Sequence, residues 1–328
     1  MGKKDIVTKD YTEDCRIFAD AFNQYIYKGR AVIDPEKLHP LDTVQAGVPY
    51  GSDGIGAPVQ KFRDSLKYMT AMEDEEAVYL LMGLENQSEV NYAMPVKDMV
   101  YDALQYASQV EKIAKAHRDE RKNIKQTGEH SVYHKKVNAG EYLSGFYKED
   151  RLVPVITLVL YFNAGEWDGP VSLHDMMSVK NPEILALVSD YRINLIAPAN
   201  MSDDELNQFT TSLREVMMFI KYSKDKDRLQ EILQTDERFR NVEKKAATVI
   251  STVTGIEFEI EEEEEEVDMC QALKEIIEDA NKEGMQQGIL DERTTIAKRM
   301  LQEGSLSVEF IARMLDVSVD KLKAFSTE

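Results

Sequence analysis

The sequence predicts a mixed α/β core, a central sheet flanked by helices, continued by a helical C-terminal extension. Three observations carry that prediction. Two neighbouring strand patterns, Ser65–Thr70 and Tyr79–Ser88, sit either side of an acidic turn, Glu73-Asp-Glu-Glu76. An almost uninterrupted apolar run, rich in Val, Ile, Leu and Tyr, occupies 152–162, as a strand buried on both faces requires. Helical periodicity then takes over from Ser202.

Taken in order, residues 10–28 read as one amphipathic helix, with Phe18, Phe22, Tyr25 and Ile26 at helical spacing. Asp20 and Asn23 lie on it as candidate polar groups for a site. Residues 47–58 are rich in Gly and Pro and read as a loop. They lack the Lys-Ser/Thr of a phosphate loop, so a nucleotide-binding role is rejected. After the hairpin, Pro95 suits the first position of a helix. On that helix Lys97, Tyr101 and Gln105 share a stripe, while Met99, Ala103, Ala107 and Val110 turn toward the core. Asn163–Pro170 ends the 152–162 strand, and 191–196 reads as a further one. Ser202 is the expected N-cap of the next helical stretch, with Glu205 completing a capping box. Eight glutamates in 257–266 should repel one another and stay extended. The expected division is therefore a core over 1–200, a helical part packed on it over 201–256, an acidic linker over 257–267 and a separable helical tail over 268–328.

With 328 residues the chain can bury a full core. Its two cysteines, Cys15 and Cys270, fit a reducing cytoplasm without structural zinc, and leave one long-range disulfide open. No apolar segment is long enough for a leader or a membrane span, which points to a cytoplasmic protein with no membrane partner. A net charge of −20 argues against nucleic-acid binding, because an acidic protein repels phosphates at long range. The charge is uneven, however. From Lys112 to Lys136 eight Lys or Arg face three acids, and His117, His130 and His134 lie among them. That stretch is either a basic flank of a cleft or a solvated loop.

Chemistry concentrates at the end of the hairpin. Side chains at i and i+2 of a strand share a face, so Glu85 and Gln87 point the same way. If the hairpin folds about the middle of its acidic turn, Asp64 falls opposite Glu85. Directly paired β-carbons lie roughly 4.5–5.5 Å apart, where two carboxylates repel unless a cation separates them. Converging hard oxygens suit Mg²⁺ or Mn²⁺. The alternative is a surface hairpin with a polar end. No nucleophilic triad is legible, and only His130 and His134 have metal-like spacing, in a stretch without helical pattern.

Acid, then acid-x-Lys or acid-x-Gln, at the end of a hairpin resembles the PD-(D/E)XK nuclease fold. More specific are Gln60-Lys-Phe-Arg-Asp64, Gly83-Leu-Glu-Asn-Gln-Ser-Glu89, Tyr92-Ala-Met-Pro95 and Tyr101-Asp-Ala-Leu-Gln-Tyr106. With Tyr142–Tyr147, Val155–Tyr161, Trp167, Tyr191–Ile196, Phe219–Lys226 and Glu283–Gly288, they resemble the Rpn (YhgA-like) family of recombination-promoting nucleases and transposases. The resemblance implies a restriction-endonuclease-like core and a Mg²⁺- or Mn²⁺-dependent DNA endonuclease. Asp64 and Glu85 would be its metal ligands. Gln87 stands where most such nucleases place lysine, although the family commonly shows glutamine there. Lys97 would then supply the missing cation, unless it is a first-turn surface lysine. Gln105 and Tyr106 would reach DNA from the same helix, and Lys112, Lys115, Arg118 and Arg121 would extend the contact. The alternative is a DNA-binding or regulatory protein that keeps the fold without turnover. In the tail, 307–325 resembles a helix-turn-helix broken at Asp316-Val317-Ser318. A helical hairpin for homo-oligomerisation fits the same pattern.

Overall fold

The computed structural model describes residues 2–40, 44–47, 59–62, 65–73, 76–127, 137–258, 260, 265–303, 307–316 and 318–319. Asp14 decides where the first helix breaks. Its backbone is extended and its carboxylate accepts the Arg16 N–H, ending α1 (Lys3–Thr12) and starting α2 (Cys15–Tyr27). The single helix expected over 10–28 is thus the second of two. Phe18 and Phe22 are fully buried on it and stack at 5.0 Å. Asp20 and Asn23 point away from the hairpin. The Asp20 carboxylate accepts the N–H and hydroxyl of both Thr210 and Thr211, and Asn23 bonds Val32 and Ile33 main chain. Both fasten loops.

The sheet follows. Strands β1 (Leu38–Pro40), β2 (Val44–Gly47), β3 (Val59–Phe62), β4 (Ser65–Glu73) and β5 (Glu76–Gln87) precede helices α3 (Met94–Thr127) and α4 (Ala139–Ser144). Then come β6 (Val155–Tyr161), α5 (Pro182–Leu185) and β7 (Asn194–Ile196). Five strands form a mixed sheet in the order β1-β4-β5-β6-β7, while β2 and β3 make a separate ribbon. The β4–β5 hairpin turns about the middle of its acidic tip, with Glu73 opposite Glu76 and Ser65 opposite Leu84, the register read from the sequence. Strands β5, β6 and β7 run parallel, with Gln87 beside Tyr161. A parallel pair needs a crossover, and α3 with α4 supplies it.

Alternation along the strands sorts the two faces. Met82, Leu84, Leu158, Leu160 and Phe162 join the main core with α1 and α2. Asn86 faces the same way and donates to the Thr12 hydroxyl at 2.8 Å. That core is closed by α6 (Asp203–Leu206), α7 (Leu213–Tyr222), α8 (Lys226–Thr235), β8 (Val242–Glu243) and α9 (Lys244–Thr254). The expected capping box is present: Ser202 accepts the Glu205 N–H and Glu205 accepts that of Ser202. On the opposite face Val159 and Tyr161 pack with Met94, Trp167 and Ile193, and α3 lies over them.

Three expectations change. The basic stretch after Lys112 is no loop as far as Thr127, because α3 continues through it. Ala103 is exposed, and the buried side of α3 carries Met94, Asp98, Tyr101 and Asp102. The glutamate run is no clean linker either. Phe258 is buried edge-on against Phe219 at 5.9 Å, and Ile260 packs on the core. Strand β9 (Glu266–Val267) then pairs with β8, and the helix α10 (Met269–Glu303) begins with Met269 fully buried. The first turns of the expected tail therefore belong to the core. Beyond them α11 (Val308–Leu315) folds back on α10, with Ile311 and Ala312 buried against Ala297. Asp316 ends α11 in the left-handed region (φ 53°), at the predicted break. Lys321 and Lys323, on the expected second helix, lie outside the described residues. Cys15 and Cys270 form no disulfide. Among the described residues no helix is long and apolar enough to cross a membrane.

Candidate active site at the end of the β4–β5 hairpin

Glu85 occupies the last buried stretch of β5, on the α3 side of the sheet, and is 1% exposed. Lys97 sits in the first turn of α3, which Met94 anchors in the small core beneath it. The chain between them makes a short turn. As a result the Lys97 Nζ donates to Glu85 Oε2 at 2.7 Å, joining helix to sheet. Lys97 keeps 31% of its side chain exposed and also lies 5.7 Å from the centre of the Tyr101 ring. An ammonium at that distance favours the ionised carboxylate and offsets its desolvation. Lys97 is thus a first-turn lysine, partly exposed and paired with Glu85.

Gln87, two residues on, shares Glu85's face and is half-buried at the end of the strand. Asp64 lies outside the described residues; its neighbour Ser65 pairs with Leu84. Among the described residues no three His, Cys, Asp or Glu side chains gather as a metal-binding group.

Two further acids occupy the same face, and sequence reasoning missed both. Asp98 is fully buried and Asp102 is 7% exposed, one helical turn apart on α3. Asp102 accepts the Thr157 hydroxyl at 2.6 Å and the Tyr191 hydroxyl at 2.6 Å, so one carboxylate ties α3 to β6 and to the segment before β7. The signal available in the sequence was their i, i+4 spacing on the stripe flanked by Tyr101 and Tyr106.

Farther along α3, Tyr106 is half-buried, and its hydroxyl accepts the Val155 N–H at 3.0 Å, at the start of β6. Gln105 is half-buried. Lys112, Lys115 and Arg118 are exposed, and Arg121 is partly covered by α4 and the loop after it. Helix α3 thus runs from the Glu85–Lys97 pair at one end to the exposed cations at the other. His130 and His134 lie outside the described residues.

Residues 131–249 match the model of the family described as "Putative transposase, YhgA-like". Over those residues, about a third of the chain, the protein is similar to the YhgA-like family. The match takes in α4, β6, β7 and the helices to α9, which are the scaffold on which the hairpin lies. The Glu85–Lys97 pair precedes the matched YhgA-like segment. No curated protein and no solved structure matches the chain.

Proposed function

We propose that this protein is a divalent-metal-dependent DNA endonuclease built on a PD-(D/E)XK core. The observation that carries the reading is Glu85, a carboxylate buried at the end of the second hairpin strand, with Lys97 Nζ 2.7 Å away and Gln87 on the same face. A fold with no use for that charge would not hold it at 1% exposure, because desolvating a carboxylate costs several kcal/mol, roughly, even in a paired setting. The family match over 131–249 supports a nuclease- or transposase-type role.

The donor set fits a hard cation. Glu85 offers a carboxylate and Gln87 a carboxamide oxygen on the same strand face. Asp64 and Glu85 would hold Mg²⁺ or Mn²⁺, which when bound neutralises phosphate charge and lowers the pKa of water. Gln87 hydrogen-bonds water or a phosphate oxygen and cannot act as a base. Lys97 brings the positive charge that most nucleases of this fold draw from the third motif position, and stabilises charge developing on the phosphate. DNA contacts fall to Gln105, Tyr106, Lys112, Lys115, Arg118 and Arg121 along α3.

Supercoiled plasmid incubated with Mg²⁺ or Mn²⁺ tests this. Wild type should nick and linearise, while Asp64→Ala and Glu85→Ala should not. Equal cleavage by all three proteins would sink the reading. One observation favours a second reading: Glu85 has an ammonium partner in Lys97, which offsets its charge as a cation would. A DNA-binding protein without turnover would show no Mn²⁺ binding by calorimetry and DNA affinity indifferent to Glu85→Ala.

A further inference from the structure

The far end of α3 carries a second constellation, and it is aromatic as well as basic. Between Lys112 and Lys122 the helix has five cations against two acids. Helix α4 is seated against it by Gly145, whose φ of 69° suits glycine and whose added Cβ would stand 2.8 Å from the Ala114 Cβ. That close approach brings Tyr142 beside the cations. Its ring is 63% exposed, and the Arg121 guanidinium carbon lies 5.0 Å from its centre. Leu143 next to it is 84% exposed. Arg121 also donates to the Tyr147 hydroxyl at 3.2 Å, and the Tyr147 ring stacks on His117 with centroids 3.7 Å apart.

On α3 itself Asp119 and Glu120 are exposed, and Asp119 pairs loosely with Lys122 at 3.7 Å, whereas the acids of α4 and the loop after it are turned to other work. Glu141 accepts the main-chain N–H groups of Asn138 and Lys148 at 3.0 and 3.1 Å. Asp150 accepts the Tyr147 N–H at 2.6 Å and bonds His117 Nε2 at 3.0 Å. What faces solvent is an exposed aromatic ring, held by the Arg121 guanidinium, with Lys115, Arg118 and Lys122 exposed on the same stretch of α3. A protein of net charge −20 has little reason to collect cations around an exposed tyrosine unless the partner is an anion with a flat apolar face.

We propose that Tyr142, with Arg118, Arg121, Lys115 and Lys122, forms a stacking platform for single-stranded DNA. An unpaired base lies on the Tyr142 ring and its flanking phosphates on the cations. Arginine beside the ring preorganises it and adds a cation–π contribution. The platform stands about 36 Å along α3 from Lys97, at 1.5 Å rise per residue. It therefore grips an unpaired end or flap without touching the reacting phosphate. The inference rests on the DNA-cleaving reading only for the identity of its ligand.

The test is fluorescence anisotropy of the full-length protein with labelled (dT)15 in EDTA, where no cleavage occurs. Tyr142→Ala should weaken binding about tenfold, the effect of losing one stacked base, whereas Tyr142→Phe should stay within about twofold of wild type. Arg118→Ala should weaken binding and flatten the dependence of log affinity on log salt by roughly one phosphate contact. A blunt duplex of the same length should bind more weakly and be indifferent to Tyr142→Ala. Glu85→Ala, run in parallel, should bind (dT)15 like wild type even though it is expected to abolish cleavage. If Tyr142→Ala binds like wild type, if duplex binds as tightly and depends equally on Tyr142, or if wild type does not bind (dT)15, the platform is wrong. Loss of cleavage in Glu85→Ala would still stand in each case.

Discussion

Glu85 and Lys97 are twelve positions apart and meet at 2.7 Å, the carboxylate 1% exposed and the ammonium still reached by water. The pair joins the end of β5 to the first turn of α3, so the geometry of the site and the docking of the helix are one structural event. Removing the two partners should not be equivalent. Lys97→Ala leaves a buried negative charge without its ammonium, whereas Glu85→Gln leaves a lysine that can swing into solvent. Breaking a buried pair from the charged side costs about 3–5 kcal/mol, and the partial exposure of Lys97 puts this case at the lower end. Urea denaturation should give Lys97→Ala the larger loss. Equal midpoints for the two variants would mean that the ion pair does not hold α3.

Asp102 is a second fastening on the same face. Its two oxygens take the Thr157 and Tyr191 hydroxyls, each at 2.6 Å, and Thr157 is 2% exposed. Asp102→Ala should cost about 3 kcal/mol, because it leaves a buried hydroxyl donor unsatisfied and opens a gap beneath α3. Tyr191→Phe removes one bond and should cost about 1 kcal/mol. Thermal or chemical unfolding orders the two; a Tyr191→Phe loss as large as that of Asp102→Ala would contradict the assignment.

Parts of this architecture were legible in the sequence for definite reasons. The hairpin register followed from where its acidic turn lay, the β6 strand from an almost uninterrupted apolar run, and the α6 start from the Ser202–Glu205 box. The buried side of α3 was not legible, because it carries the acids Asp98 and Asp102 where an apolar stripe would mark a core face. Only tertiary partners, such as Thr157 and Tyr191 for Asp102, make an acid tolerable inside. The length of α3 was obscured by its polar second half, which lacks an apolar stripe. The glutamate run hid its own anchors. Charge repulsion dominates the composition of 257–266, yet Phe258 and Ile260 are what bind it to the core. Of the candidate site, the shared strand face of Glu85 and Gln87 could be read locally from the i, i+2 spacing, the Glu85–Lys97 contact is tertiary, and Asp64 lies outside the described residues.

Those anchors set a boundary that truncation can locate. Ending the chain after Thr254 removes Phe258, Val267 and Met269 from the main core. Burial of each such side chain is worth about 1.5–3 kcal/mol against a total stability of about 5–15 kcal/mol, so the shortened protein should lose most of its margin. Ending it after Gly284 keeps all three and should leave the melting transition close to that of the full chain. A Thr254 truncation that melts like the full-length protein would restore the linker.

The last prediction concerns acid. Asp203 opens α6 directly after its N-cap, and its carboxylate accepts Lys221 Nζ at 2.7 Å, the Tyr222 hydroxyl at 2.6 Å and an Arg228 Nη at 3.3 Å. Partial burial pushes its pKa upward, but the bonds from Lys221, Tyr222 and Arg228 outweigh that and hold it below the ordinary aspartate value. A depressed carboxylate binds fewer protons in the folded state than in the unfolded one. Its stabilisation is therefore complete above about pH 4, the unfolded value, and drains away as pH falls through the lower folded value. Asp203→Asn removes that dependence. Wild type should melt higher than Asp203→Asn at pH 7, and the gap should close as pH drops from about 5 toward 2. Melting temperatures of both proteins across that range decide it: a gap that stays constant to the lowest pH would mean that Asp203 acts through packing, and its charge would then have no part in holding α6 to α7 and α8.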